Sequence, residues 1–167
     1  MRIQFPSAAA KGITEIADSK ACCFVVDKNI ASLYKLPFSS SPSLILPCGE
    51  ACKSVRTIVR ILDFFLANTV TSSSRIVAVG GGALCDAAGF AASIFKRGIP
   101  AIYVPTTLLA QVDAAYGGKT AINYRGVKNA VGSFSQPEKV IADSNFLLTL
   151  SGREYRSGLG EIGRAHV

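Results

Sequence analysis

Short runs of continuous apolar residues alternate along this chain with stretches in which apolar side chains return every three or four positions. The runs ACCFVV (21–26) and SLILP (43–47) have strand length and no polar alternation, as expected of strands buried on both faces of a sheet. Between Glu50 and Asn68, the residues Val55, Ile58, Val59, Leu62, Phe65 and Leu66 keep to one side of a 3.6-residue period, which predicts one amphipathic helix of about five turns. A Ser/Thr cluster (69–74) leads to a β-branched strand (75–79), three glycines, and a small-residue segment (83–98) that reads as a helix lying on a sheet and ending near Gly98. Residues 101–104 predict a fourth strand, 105–115 a loop entering a helix, and 139–143 a fifth strand. The stretch 119–132 alternates, with Arg125-Gly126 as its candidate hairpin turn, and Ser151 with Glu154 makes a capping box for a last helix. This order predicts an α/β fold, a mainly parallel sheet with flanking helices.

Composition narrows the picture. The 167 residues suit one domain, and 49% hydrophobic against 17% charged residues places the chain far from disorder and leaves apolar surface in want of a partner. The formal charge of +7 is not clustered: nine basic residues stand against six acidic ones in 1–95, and nine against five in 96–167. That spread argues against a nucleic acid partner and for a pocket that takes anionic small molecules. Five cysteines, with Cys22 and Cys23 adjacent and no C-x-x-C pair, are expected to be free thiols in a reducing cytoplasm. The start lacks an apolar signal region and no stretch reaches 18 apolar residues, so a soluble protein with no membrane partner is expected. The single histidine, His166, leaves no imidazole cluster for zinc.

Three constellations could carry chemistry. At 76–89 a strand runs through Gly80-Gly81-Gly82 into a helix, so backbone N–H groups and the helix dipole could cradle a pyrophosphate; Cys85 stands where a third glycine would complete G-x-G-x-x-G, and a plain tight turn is the alternative. Gly117-Gly118-Lys119-Thr120 is no P-loop, because Asp113 occupies the position of its first glycine. The same stretch gathers Asp113 and Lys119 near Lys128 and Asn129, as a site or as a solvated hairpin. Glu50 and Lys53 open the long helix, where a lysine opposes the dipole; it is retained for a ligand or merely solvated.

Together these segments resemble the 3-dehydroquinate synthases. The resemblance is carried by GGGALCDAAGFAAS (80–93), KRG (96–98), VPTTLLAQVDAAYGGKTAIN (104–123), KNAVGSF (128–134), QP (136–137) and FLLTLSGREYRSGLGE (146–161), and more weakly by VDKN (26–29) and PCGEACKS (47–54). It implies that residues 1–161 form the NAD-binding N-terminal domain of the dehydroquinate synthase-like fold. Asp27 and Asn29 would lie at the adenosine end, and Glu50 and Lys53 at the ribose and nicotinamide. Gly82, Ala83, Leu84, Cys85 and Asp86 would wrap the pyrophosphate region, with Thr106, Thr107, Lys119, Lys128, Phe146, Leu147, Leu148 and Thr149. Arg97, Asp113, Lys119 and Asn129 would be this domain's share of the catalytic, substrate-binding site, and Glu161 its one metal ligand.

The implied reaction converts 3-deoxy-D-arabino-heptulosonate 7-phosphate to 3-dehydroquinate. NAD oxidises the C5 alcohol, phosphate leaves by β-elimination, the ketone is reduced again, and an internal aldol step closes the ring. A divalent metal, zinc or cobalt, would polarise the oxygens. The resemblance also implies a homodimer at full length. A C-terminal helical domain, with the family's metal-binding histidines and further basic residues, is missing from the sequence, so the chain is expected to be an inactive fragment. Cys48 and Cys85 replace a family acid and a family glycine and are expected to weaken NAD contacts. The end, IGRAHV, departs from the family's helix; residues 162–167, His166 included, are expected to be a non-native tail. Another sugar-phosphate cyclase and a non-catalytic NAD-binding module are the alternative readings.

Overall fold

The structure, a computed structural model, describes residues 3–17, 21–38, 41–47 and 49–164. Its centre is a five-stranded sheet, all of whose pairings are parallel, built from β2 (Cys22–Asp27), β4 (Ser43–Leu46), β5 (Arg75–Gly80), β6 (Ala101–Pro105) and β9 (Lys139–Val140) in the order β4-β2-β5-β6-β9. The apolar runs became strands for the expected reason. In β2, Cys23 and Val25 enter one core while Phe24 and Val26 enter the other, and all four are buried.

On one face, α3 (Val55–Ala67) and α4 (Gly82–Ile94) cover the sheet with Ile58, Ile61, Phe65 and a floor of alanines. On the other lie α1 (Ser7–Ala17), α2 (Lys28–Leu33) and a two-stranded sheet of β1 (Ile3–Gln4) and β3 (Tyr34–Lys35). A hairpin of β7 (Lys119–Tyr124) and β8 (Val127–Phe134) packs along α4. The close approach runs through Gly89: a Cβ there would overlap the Tyr103 hydroxyl and lie 2.8 Å from the Thr120 methyl. The chain closes with a 3-10 turn (Ser144–Thr149) and α5 (Gly152–Arg164).

Three expectations are corrected. The helix foreseen over 50–68 is a 3-10 turn (Gly49–Cys52) followed by α3, because Ser54 adopts extended backbone and its hydroxyl caps Thr57 N–H at 3.2 Å. Lys53 therefore precedes the helix and is buried. The strand foreseen over 139–143 pairs only at Lys139–Val140, since Asp143 turns away to cap the next 3-10 turn through Asn145 N–H. The helix foreseen after 105 is a wide, π-helical turn (Ala110–Ala114), a form that recurs at functional sites. The hairpin turn lies at Arg125 and Gly126, both at positive φ.

Of the expected tail, Ile162–Arg164 continue α5; residues 165–167, with His166, lie outside the described residues, as does Cys48. Among the described residues no helix is long and apolar enough to cross a membrane.

Candidate functional site

The chain runs from β2 outward to β4 and then returns to the other side of β2 as β5, so the order of strand addition reverses between β2 and β5. At such a reversal the connections leave the carboxyl ends of the two strands on opposite sides, and a crevice opens between them. A cleft of about 490 Å³ lies there. It is lined by Asp27 at the end of β2, Gly81, Gly82, Ala83 and Leu84 at the start of α4, and Thr106 and Thr107 after β6. Asn29, Glu50, Phe146 and Thr149 complete the expected residues on its wall. Gly81 caps α4 without a side-chain hydrogen bond, so backbone and dipole face the cleft unobstructed.

Asp27 is buried at the head of α2, its carboxylate accepting from Asn29 N–H at 2.7 Å. Burial pushes its carboxyl above the usual range; the Asn29 and Ile30 amides oppose this and Glu154 adds to it. Thr149 is held by Tyr34, whose buried hydroxyl lies 2.7 Å from the threonine oxygen. Gln111, from the wide turn, donates to Pro105 O at 3.0 Å and Asp143 O at 2.9 Å, tying the Thr106 loop to the Phe146 turn.

A second cleft, about 530 Å³, opens on the hairpin side of α4 and is lined by Asp86, Asp113, Lys119, Asn129 and the residues between Lys119 and Phe134 that face them. Lys53 itself lines neither cleft; it is buried behind the second one, its ammonium donating to Asp86 Oδ2 and to Asn129 Oδ1 of that wall, each at 2.5 Å. Asp86 is nonetheless raised above the usual carboxylate range by burial, with Lys53 lowering it and Glu50 and Asp113 raising it.

The remaining expected residues are placed elsewhere. Arg97 is exposed in the turn after α4, at φ 71°, and lines neither cleft. Lys128 is exposed on β8, and Lys128, Leu147 and Leu148 line neither cleft. Cys85 is buried in the core beneath the glycine turn, so its substitution for glycine does not intrude on the cleft. Burial pushes the Cys23 thiol up to about 11, Cys52 up to about 12, and Cys85 up as well, which keeps them neutral and unreactive at neutral pH.

Glu161 on α5 pairs with Arg164, and among the described residues no group of three or more His, Cys, Asp or Glu side chains could hold a metal ion. Sequence reasoning missed Ser32, Leu33, Leu109, Leu150, Glu154 and Ser157, which also line the first cleft. Leu109, Leu150, Glu154 and Ser157 lie within segments that carry the resemblance, and Glu154 also serves as a helix cap partner through Ser151.

A family model described as 3-dehydroquinate synthase N-terminal matches residues 43–157. The chain is 46% identical over 149 residues to a 3-dehydroquinate synthase from Salinibacter ruber, covering 84% of this chain and 41% of the relative. It is 44% identical to one from Legionella pneumophila, covering 90% and 42%. The chain thus spans less than half the length of the curated relatives it matches. Among solved structures, a 2-epi-5-epi-valiolone synthase from Streptomyces hygroscopicus with NAD+ and Zn2+ bound superposes with a TM-score of 0.81 at 30% identity, covering 97% of this chain and 48% of that one. A 2-deoxy-scyllo-inosose synthase complexed with carbaglucose-6-phosphate, NAD+ and Co2+ gives 0.79 at 29%, covering 93% and 46%. A glycerol dehydrogenase from Schizosaccharomyces pombe, at 18% identity and 0.63, shares the fold.

Proposed function

The chain belongs to the 3-dehydroquinate synthase family, and on that premise we propose that it is the dinucleotide-binding half of an enzyme converting 3-deoxy-D-arabino-heptulosonate 7-phosphate to 3-dehydroquinate with loss of phosphate. The observation that carries this reading is that two clefts meet at the start of α4: one at the reversal of strand order, lined by Gly82, Ala83 and Leu84, and a second, lined by Asp86, Lys119 and Asn129, with Lys53 bonded to two residues of its wall. A dinucleotide laid over the start of α4 would bring its far end to the second cleft.

NAD fits the first cleft chemically. The buried Asp27 carboxylate suits a ribose diol, the first turn of α4 suits a pyrophosphate, and the Thr106 and Thr107 hydroxyls supply neutral donors beside it. When bound, NAD supplies a hydride acceptor that returns the hydride within the same turnover. Lys53 and Asp86 orient its reactive end, while Lys119 and Asn129 neutralise and hold the phosphorylated sugar acid in the second cleft, with Asp113 as the acid there. Arg97 and Lys128, outside both clefts, are the least supported of the proposed contacts. Among the described residues no group of three ligands forms around Glu161, so the residues present do not fit zinc or cobalt. The cytoplasmic location and the homodimer of the longer protein rest on the family resemblance, and residues 1–161 as one NAD-binding domain with a foreign tail form part of the same reading.

Another sugar-phosphate cyclase is the weaker reading, because identity is 39–46% to the dehydroquinate synthases and 29–30% to the valiolone and inosose synthases. The test is calorimetric titration of the purified chain with NAD. Saturable one-site binding is expected, and heat indistinguishable from dilution would overturn the proposal. No phosphate release from the heptulosonate phosphate is expected of this chain, whereas the full-length protein, loaded with zinc or cobalt, should release it.

A further inference from the structure

We propose that Asn123 is a positioning residue: it locks the β7–β8 hairpin to the turn before α3 and so sets Asn129, with Lys53 behind it, on the wall of the second cleft. Its importance to the reaction rests on the reading of those clefts given above. Three of its four polar groups reach three different places. The Asn123 backbone N–H donates to Lys53 O at 3.0 Å, its Nδ2 donates to Glu50 Oε1 at 2.7 Å, and its Oδ1 accepts from Asn129 N–H at 2.9 Å.

The hairpin needs such a device at this point. The register of β7 against β8 slips between Ile122 and Tyr124, so Asn123 sits where the regular ladder is interrupted. Across from it, Asn129 holds φ at 52°, the left-handed region, in the middle of a strand. Such a residue persists only where its surroundings impose the conformation. The Asn123 carboxamide supplies the acceptor that a ladder carbonyl would otherwise provide.

In that conformation the Asn129 side chain meets the Lys53 ammonium, whose other bond goes to Asp86. Were Asn129 to relax to extended backbone, its side chain would swing toward the opposite face of the pleat and Lys53 would keep Asp86 alone. The rest of the hairpin is fastened separately, by Ser93 to Ser133 and by Thr120 to Ser133. Loss of Asn123 should therefore disturb Asn129 and Lys53 without releasing the hairpin.

The experiment compares the 167-residue chain with Asn123→Ala and Asn123→Asp by 15N NMR, reading the Asn129 amide coupling and its hydrogen exchange, alongside NAD titration. In N123A the coupling should change from the left-handed to the extended value. Exchange should quicken about tenfold, as for one lost hydrogen bond, and NAD affinity should drop while the melting temperature stays within a few degrees. N123D is made together with Glu50→Gln, so that the amide at position 50 donates to the new carboxylate and no second carboxylate faces it; that carboxylate still accepts from Asn129 N–H, so the Asn129 signature should be restored, a rescue that a purely steric role would not predict. An unchanged Asn129 signature in N123A, or its loss in N123D, overturns the proposal. Should N123A fail to fold, N123D alone decides, on the same Asn129 signature. A wild-type chain that binds no NAD removes the cofactor reading, and the Asn129 signature still decides the positioning.

Discussion

The two clefts share one helix end and are held open by different forces. The first lies at the carboxyl edge of a parallel sheet whose strands β2, β5 and β6 are buried on both sides, so Asp27, Gly81 and Thr106 are placed by apolar packing. The second leans on a hairpin whose outer strand β8 is exposed along nearly its whole length, with Phe134 at 89% and Val127 at 60%. Its geometry depends on glycine clearance and on hydrogen bonds among Lys53, Asn123, Asn129, Thr120 and Ser133. A site set by packing tolerates loss of one polar group, because the backbone stays where the core holds it. A site set by polar contacts does not.

The largest expected effect separates the two clefts by backbone clearance. A Cβ on Gly132 would overlap the Thr120 carbonyl oxygen and lie 2.7 Å from Ala121 Cβ and 2.8 Å from its Cα, and backbone cannot step aside as a side chain can. Gly132→Ala should therefore open the hairpin at a cost of about 3 kcal/mol, at the upper end for overpacking. At Gly81, which lines the first cleft, the added methyl meets only the Thr107 side chain, at 3.1 Å. Gly81→Ala should cost less than about 1 kcal/mol, since reduced freedom of the unfolded chain offsets the crowding, yet weaken NAD by filling the cradle. Urea denaturation and NAD titration of both variants measure this; equal destabilisation would erase the distinction.

Lys53 gives the next largest effect, because it is buried and holds two residues of the second cleft's wall. Lys53→Met leaves Asp86 and the Asn129 carbonyl without their partner. The cost at neutral pH should be about 2 kcal/mol, below that of a fully buried pair because 21% of the Asp86 side chain stays exposed. The sign with pH follows from burial. Asp86 binds its proton more readily folded than unfolded, so its contribution to stability is greatest in acid and falls as pH climbs from the ordinary carboxylate value to the raised one. Removing Lys53 takes away the group that lowers Asp86, so in K53M that fall continues to higher pH. The gap between wild type and variant should shrink on acidification, measured by urea titrations from roughly pH 4 to 8. A gap that stays constant would show that the ion pair is not what Lys53 contributes.

The same contrast explains what the sequence revealed. The first cleft was legible because its strands are continuous apolar runs and its helix follows three glycines, and both are local signals. Ten of its expected residues line it, from Asp27 to Thr149. Helix α2 was not legible, since its six residues, from Lys28 to Leu33, are too few to show a helical period. Nor was the break at Ser54: the apolar period of 55–66 runs on smoothly from the residues before it, and the start of the helix is set by the Ser54 cap on Thr57 N–H, which an apolar period does not mark. Asn123 sat in plain view within a quoted motif. Its meaning depends on Glu50 and Asn129, 73 and six positions away, and no pattern along the chain connects the three.

The smallest effect on stability is expected at Asp27, and it tests the claim that packing holds the first cleft. Asparagine caps a helix about as well as aspartate, so Asp27→Asn should keep the acceptor for Asn29 N–H and change stability at neutral pH by less than about 0.5 kcal/mol. The pH dependence should change more clearly. Burial raises the Asp27 carboxyl, so in the wild type its contribution falls as pH rises through the carboxylate range, and in D27N that slope disappears. NAD affinity should drop about tenfold, the worth of a charge-assisted hydrogen bond to a ribose hydroxyl. Because α2 and β2 stay packed through Ile30, Phe24 and Val26, that loss should appear without any shift in the amides of the glycine turn. Movement of the Gly81 and Gly82 amides in D27N would mean that the carboxylate, and not the core, holds this edge of the sheet open.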